Sequence, residues 1–150
     1  MTDAPPGPRQ AAAPTPWWLI PAGADWSGPV LLLPVGVDWD CARTPAALGM
    51  PVLDRLLAEP CDAAMLGPVL WDREADLLYW PVQRGASDHY PAGVDLLRAG
   101  AWIGVPGSDG ALSSRAVWLH LPDRAQCTPP VWLAAALDTA RPAPVLGSLR

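Results

Sequence analysis

Asp38 and Asp40 stand two residues apart in the run Val37-Asp38-Trp39-Asp40. On a strand, residues i and i+2 point to one face, so the two carboxylates could share a divalent cation. On a turn between a strand and a helix they would be solvated, with Asp40 near a helix start, where a carboxylate is favoured in any case. The other chemistry-bearing residues are scattered. His89 lies in a polar loop beside Asp88 and Tyr90, without the partner a general base needs, and reads as a surface histidine. His120 alternates outward beside Trp118 and reads as a half-buried sheet histidine. Cys61-Asp62 follows the helix-stopping Pro60, and a thiol at a helix C-terminus is not activated. Ser113-Ser114-Arg115 offers hydroxyls and one cation to a phosphate, yet reads first as an ordinary loop. Trp26, Trp71 and Trp80 are candidate stacking platforms for bases, without the basic neighbours such platforms use.

Those residues need elements to hold them. Val30–Val35 reads as a buried strand, with Pro34 arguing for an edge or a bulge. Thr44-Pro45 reads as a helix start, Thr44 as the cap and Pro45 in the first turn. Gly49 should end that turn. Pro51 should open a second helical stretch over Val52–Glu59, which Pro60 stops. Ala64–Trp71 and Asp76–Val82 predict a hairpin around Asp72-Arg73-Glu74-Ala75. Val94–Leu97 and Ala101–Val105 predict a second one around Arg98-Ala99-Gly100. Arg115–Leu121 alternates as a strand, with Val117, Leu119 and Leu121 on one face and Trp118 and His120 on the other. Thr128-Pro129 announces a helix over Pro130–Ala140. The expected class is α+β, a mostly antiparallel sheet of two hairpins plus flanking strands, with helices covering one face.

Composition sets the frame. A chain of 150 residues that is 51% hydrophobic makes one domain with a core of its own. The expected boundaries are a Pro/Ala-rich disordered arm over 1–16, a single domain over 17–140 and a flexible tail over 141–150. There is no Phe but there are 9 Trp, so the aromatic core must be built from indoles whose N–H groups want acceptors. Lys and Asn are also missing and all 10 basic residues are Arg, the signature of a GC-rich coding sequence. A net charge of −5 with arginines spread singly disfavours duplex nucleic acid and points to a protein partner or self-association. Cys41, Cys61 and Cys127 are odd in number and too far apart for a zinc knuckle. They read as free thiols of a cytoplasmic protein. No basic start leads into an apolar run and no span approaches membrane length, so neither a signal peptide nor a membrane segment is expected.

Three places resemble the N-terminal domain of bifunctional DNA primase/polymerases, of the archaeo-eukaryotic primase class. Val37-Asp38-Trp39-Asp40 stands where that family has an Asp-x-Asp pair. Gly67-Pro68-Val69-Leu70, followed by Ala75-Asp76-Leu77-Leu78-Tyr79-Trp80, is similar to its Gly-rich turn and the strand that carries its catalytic His. Gly93-Val94-Asp95-Leu96, with Gly100-Ala101-Trp102-Ile103-Gly104-Val105-Pro106, is similar to its Gly-Val-Asp strand and the strand that follows. The likeness spans roughly Val30–Ala140. It implies a nucleotide scaffold, with Asp95 joining Asp38 and Asp40 around two Mg or Mn ions for nucleotidyl transfer. Asp95 equally reads as a strand-end residue bonding a turn amide.

The departures weigh against that chemistry. Leu77 falls where the family's His belongs. The Gly-rich turn is replaced by Asp72-Arg73-Glu74-Ala75, which repels phosphate. No cluster of cations remains to neutralise a triphosphate. The reading is therefore a degenerate primase–polymerase-like domain without catalysis or cofactor, binding a protein or a nucleotide around Asp38, Asp40, Asp95 and Arg98. The alternatives are an active metal-dependent nucleotidyltransferase, a single-strand nucleic-acid binder using exposed indoles, and a structural or regulatory subunit that folds stably only with a partner.

Overall fold

The computed structural model describes residues 14–25, 27–85, 90–107 and 115–140. Among these residues, seven strands and three helices follow a 3-10 turn at Trp17–Leu19. They are β1 (Val30–Pro34), β2 (Asp40–Pro45), α1 (Ala46–Ala58), α2 (Pro60–Ala63), β3 (Val69–Asp72), β4 (Leu77–Val82), β5 (Asp95–Leu97), β6 (Trp102–Pro106), β7 (Ala116–His120) and α3 (Pro130–Ala140). Five strands form one antiparallel sheet in the order β5-β2-β4-β3-β7. β2 and β3 run parallel through the α1 crossover, with β4 inserted between them, which is a split β-α-β unit. β1 and β6 pair with each other as a separate two-stranded ribbon. The class is α+β, as the sequence predicts.

Alternation along the central strands sends side chains to two cores. On the helix side, Ala42, Leu78, Trp80 and Val82 meet Val52, Leu53 and Leu56 of α1 and Leu133 and Leu137 of α3. On the other side, Cys41, Leu70 and Trp118 meet the inner face of the ribbon, Leu31, Leu33, Ile103 and Val105. The helices thus cover one face and the ribbon part of the other. The indoles find the acceptors their burial demands. Trp80 donates to the Thr44 hydroxyl at 3.0 Å, and Trp118 donates to the Thr15 hydroxyl at 3.1 Å. Thr15 in turn donates to the Pro106 carbonyl. That relay, with Leu19 buried in the ribbon-side core, fixes the segment from Thr15 onward to its own domain. The folded unit therefore includes Thr15 and Pro16, two residues earlier than the expected boundary. Residues 1–13 of the expected arm and the tail from 141 onward lie outside the described residues.

Several local expectations change. Thr44 is no cap: it belongs to β2, and Pro45 occupies the N-cap position without a side-chain bond. One continuous helix runs through Gly49 and Pro51. Gly49 serves close packing, since a Cβ there would lie 2.5 Å from the Thr44 hydroxyl and 2.7 Å from Leu78. Pro51 is exposed, as is Ala47, whose carbonyl it leaves without an N–H; water can satisfy that group. α1 ends at Ala58, before Pro60 as expected, and Pro60 then opens the short α2. β5 and β6 do not form a hairpin: β5 pairs β2 and β6 pairs β1. The β3–β4 hairpin and α3 form where predicted. Trp118 does not face outward but fills the ribbon-side core.

Candidate binding cleft and the acidic residues

The strand periodicity decides the fate of the candidate metal ligands. Asp40 pairs with Val82 and shares the helix-side face with Ala42. Asp95 pairs with Arg43 and shares the opposite face with Cys41 and Leu97. Asp38 is exposed in the β1–β2 turn. Among the described residues no three His, Cys, Asp or Glu side chains are close enough to hold a metal ion. The three-carboxylate centre implied by the resemblance is therefore not assembled, because the sheet separates Asp40 from Asp95. Asp95 instead takes Arg43 as its partner at 2.8 Å, and this bond is the main reason the Arg43 pKa is raised.

Asp40 and Arg98 do come together. With Gly36, Arg84, Gly85 and Ala99 they line an open hollow of about 480 Å³. Asp40 is only 7% exposed there. The β5–β6 turn that carries Arg98 is seated against the β1–β2 turn at Gly36. With φ at +90°, Gly36 leaves so little room that a Cβ would lie 2.3 Å from the Ala99 nitrogen. Arg84 donates to the Val37 carbonyl at 3.0 Å and was not legible as a site residue, since nothing near it in the sequence marks it. Asp38 lines a neighbouring hollow with Trp18, Trp39, Gln83, Arg84 and Cys127.

The other candidates resolve as follows. Trp80 is fully buried and cannot stack on a base. Trp71 donates to Asp76 at 3.1 Å, and the Arg73 guanidinium lies 5.7 Å from its ring centre. His120 is half-buried, as read from the sequence; its Nε2 lacks a partner, and burial lowers its pKa. Cys61 is exposed in the first turn of α2, not at a helix C-terminus. Burial pushes the Cys41 thiol up strongly and Cys127 up to about 12, which leaves both as inert thiols. Burial also raises Tyr90 to about 12. Arg115 pairs with Asp72 at 3.3 Å and with Glu74 at 3.0 Å. Trp26, His89, Ser113 and Ser114 lie outside the described residues.

A cleft that sequence reasoning missed opens where the ribbon crosses the sheet. Val30, Leu32, Trp102, Gly104 and Pro106 form one wall, and Asp72, Tyr79, Arg115 and Ala116 the other, around a volume of about 380 Å³. The ribbon wall is apolar, and none of the described residues covers it. Register sets Val30 beside Pro106, Leu32 beside Gly104 and Pro34 beside Trp102. Val30 is 57% exposed, and Leu32 and Trp102 are each 61% exposed. The alternation Leu31 in, Leu32 out and Ile103 in, Trp102 out was the available signal. It was masked because these strands are apolar on both faces. No helix among the described residues is long and apolar enough to cross a membrane. Comparison with family models, with curated proteins and with solved structures finds no match for this chain.

Proposed function

We propose that this chain is a non-catalytic binding protein that holds a protein partner on the outer face of the β1–β6 ribbon. The observation that carries the reading is the apolar strip of Val30, Leu32 and Trp102 on one face of a regular ribbon. Exposed aliphatic side chains around an exposed indole, with charged Asp72 and Arg115 at the rim, have the make-up of a protein interface. The non-catalytic part is supported by Asp40 and Asp95 lying on opposite faces of the sheet, where they cannot clamp the same pair of metal ions. Descent from a primase–polymerase domain is part of the proposal. In its favour, Val37–Asp40, Gly67–Trp80 and Gly93–Leu96 lead into or form adjacent strands of one sheet. Gly100–Pro106 departs from it by joining the ribbon.

The test is affinity capture with the full chain as bait, beside Leu32→Glu and Trp102→Glu. Both side chains are exposed, so the variants should keep the parent Tm. A protein retained by the unaltered chain and lost from both variants supports the reading. Equal retention by all three baits refutes it.

A nucleotide is the second reading, favoured by Arg84 and Arg98 lining one hollow. ATP without metal should then raise Tm, and Arg98→Ala should abolish the rise. An ATP response that Arg98→Ala leaves intact removes this site from consideration.

A further inference from the structure

The cleft between the ribbon and the sheet has the chemistry of a site for a polyproline II segment. Such segments seat proline rings against exposed aromatic side chains and need little further ordering on binding. Trp102 and Tyr79 supply the aromatic surfaces, and Pro106, Val30 and Leu32 the apolar edges. Gly104 lies between them in β6. A Cβ there would meet only Leu32 and Val30, each at 3.8 Å, so the missing side chain leaves the middle of the cleft open. At the rim, the carboxylates of Asp72 and Glu74 both engage the guanidinium of Arg115.

The chain itself carries a sequence of the matching kind. Ala4-Pro5-Pro6-Gly7-Pro8-Arg9 sets Pro5 and Pro8 three apart, one polyproline turn, with a cation following. The structure provides the route as well. Thr15 is bonded to the carbonyl of Pro106, and Pro106 lines the cleft. From Thr15 back to Arg9 is six residues, a reach of up to about 20 Å. Six residues of polyproline II cover about 15 Å, close to the roughly 14 Å spanned by the five residues of β6. We propose that the cleft is a binding site for Ala4–Arg9 of the same chain, with Pro5 and Pro8 against Trp102 and Tyr79 and Arg9 at the Asp72–Glu74 rim. The proposal rests on the reading of the ribbon face as a binding surface. A partner using that face would then have to displace the chain's own segment.

NMR of the full chain tests this. In the unaltered protein, nuclear Overhauser contacts are expected from the Pro5 and Pro8 ring protons to the Trp102 ring. In Pro5→Ser/Pro8→Ser those contacts vanish and the Trp102 indole N–H signal moves. A synthetic peptide of residues 1–13, added to that variant, should return the signal toward its parent position. In Gly104→Val, whose side chain fills the cleft while favouring a strand, the contacts should be lost with the fold intact. A Trp102 signal that is the same in the parent and the double-serine variant overturns the proposal. So do contacts that weaken on dilution, because they would come from a second copy. Neither failure touches the capture experiment, in which the loss caused by Leu32→Glu and Trp102→Glu does not depend on the proline residues.

Discussion

Trp80→Ala is expected to lower stability by about 3–5 kcal/mol, the usual cost of emptying a large aromatic site in a packed core. Trp80 is fully buried on β4, in the helix-side core with Leu78, Val82 and the leucines of α1 and α3. Its truncation also orphans the Thr44 hydroxyl, buried on the neighbouring strand. A domain with a total stability of roughly 5–15 kcal/mol would lose a large share of it. The fall in Tm should be at least about 10 °C. Trp80→Phe keeps most of the volume while losing the indole N–H and part of the bicyclic ring, so it should cost clearly less. Denaturant unfolding of the three proteins gives the comparison. Equal losses from Phe and Ala would mean that the hydrogen bond, and not the packing, dominates at this site. A loss below about 1 kcal/mol for Ala would contradict the assigned core.

Trp118→Ala should cost a similar amount, about 3–5 kcal/mol, but with a different signature. Trp118 belongs to the ribbon-side core and donates to Thr15, which donates to Pro106 on β6. Its removal undoes the relay that fastens the N-terminal segment. Local loss of protection is therefore expected at Leu19 and Ile20, whose amides bond Pro16 and Trp17, before the five-stranded sheet opens. Thr15→Val keeps the indole but leaves its N–H and the Pro106 carbonyl without their partner, a cost of about 1–3 kcal/mol. Hydrogen exchange read by mass spectrometry separates these outcomes. Uniform destabilisation with Leu19 still protected relative to β2 would contradict the relay.

What the sequence disclosed was local. Asp72-Arg73-Glu74-Ala75 marks its turn because the Asp72 carboxylate accepts the amides of Glu74 and Ala75, a bond that depends on nothing distant. α3 forms over its Ala/Leu-rich run where expected, although Thr128 does not cap it: its hydroxyl oxygen accepts the distant Gly67 amide. β2 was hidden. Asp40-Cys41-Ala42-Arg43 has little intrinsic strand preference, and Thr44-Pro45 imitates a helix cap. The strand exists because β4 and β5 pair with its two sides, and those contacts lie tens of residues away. The short turn between β5 and β6 suggested a hairpin for the same reason that it failed: spacing says where the chain bends, not which strand it meets next. Once β6 left to join β1, the cleft under Trp102 appeared, and no local pattern encodes that crossing. The carboxylates show the limit from the other side. Asp38 and Asp40 were legible as a pair in the sequence. Which face each of Asp40 and Asp95 occupies follows from register, which only the assembled sheet defines.

Contact at the ribbon face inside the cell measures partner binding most directly. A photo-reactive benzoylphenylalanine in place of Trp102, on the outer face, is compared with the same group in place of Val131, an equally exposed apolar site on α3. A partner held by the ribbon predicts a discrete higher-mass adduct from position 102, and none from position 131. Identical adducts from both positions, or none from position 102, would contradict the account.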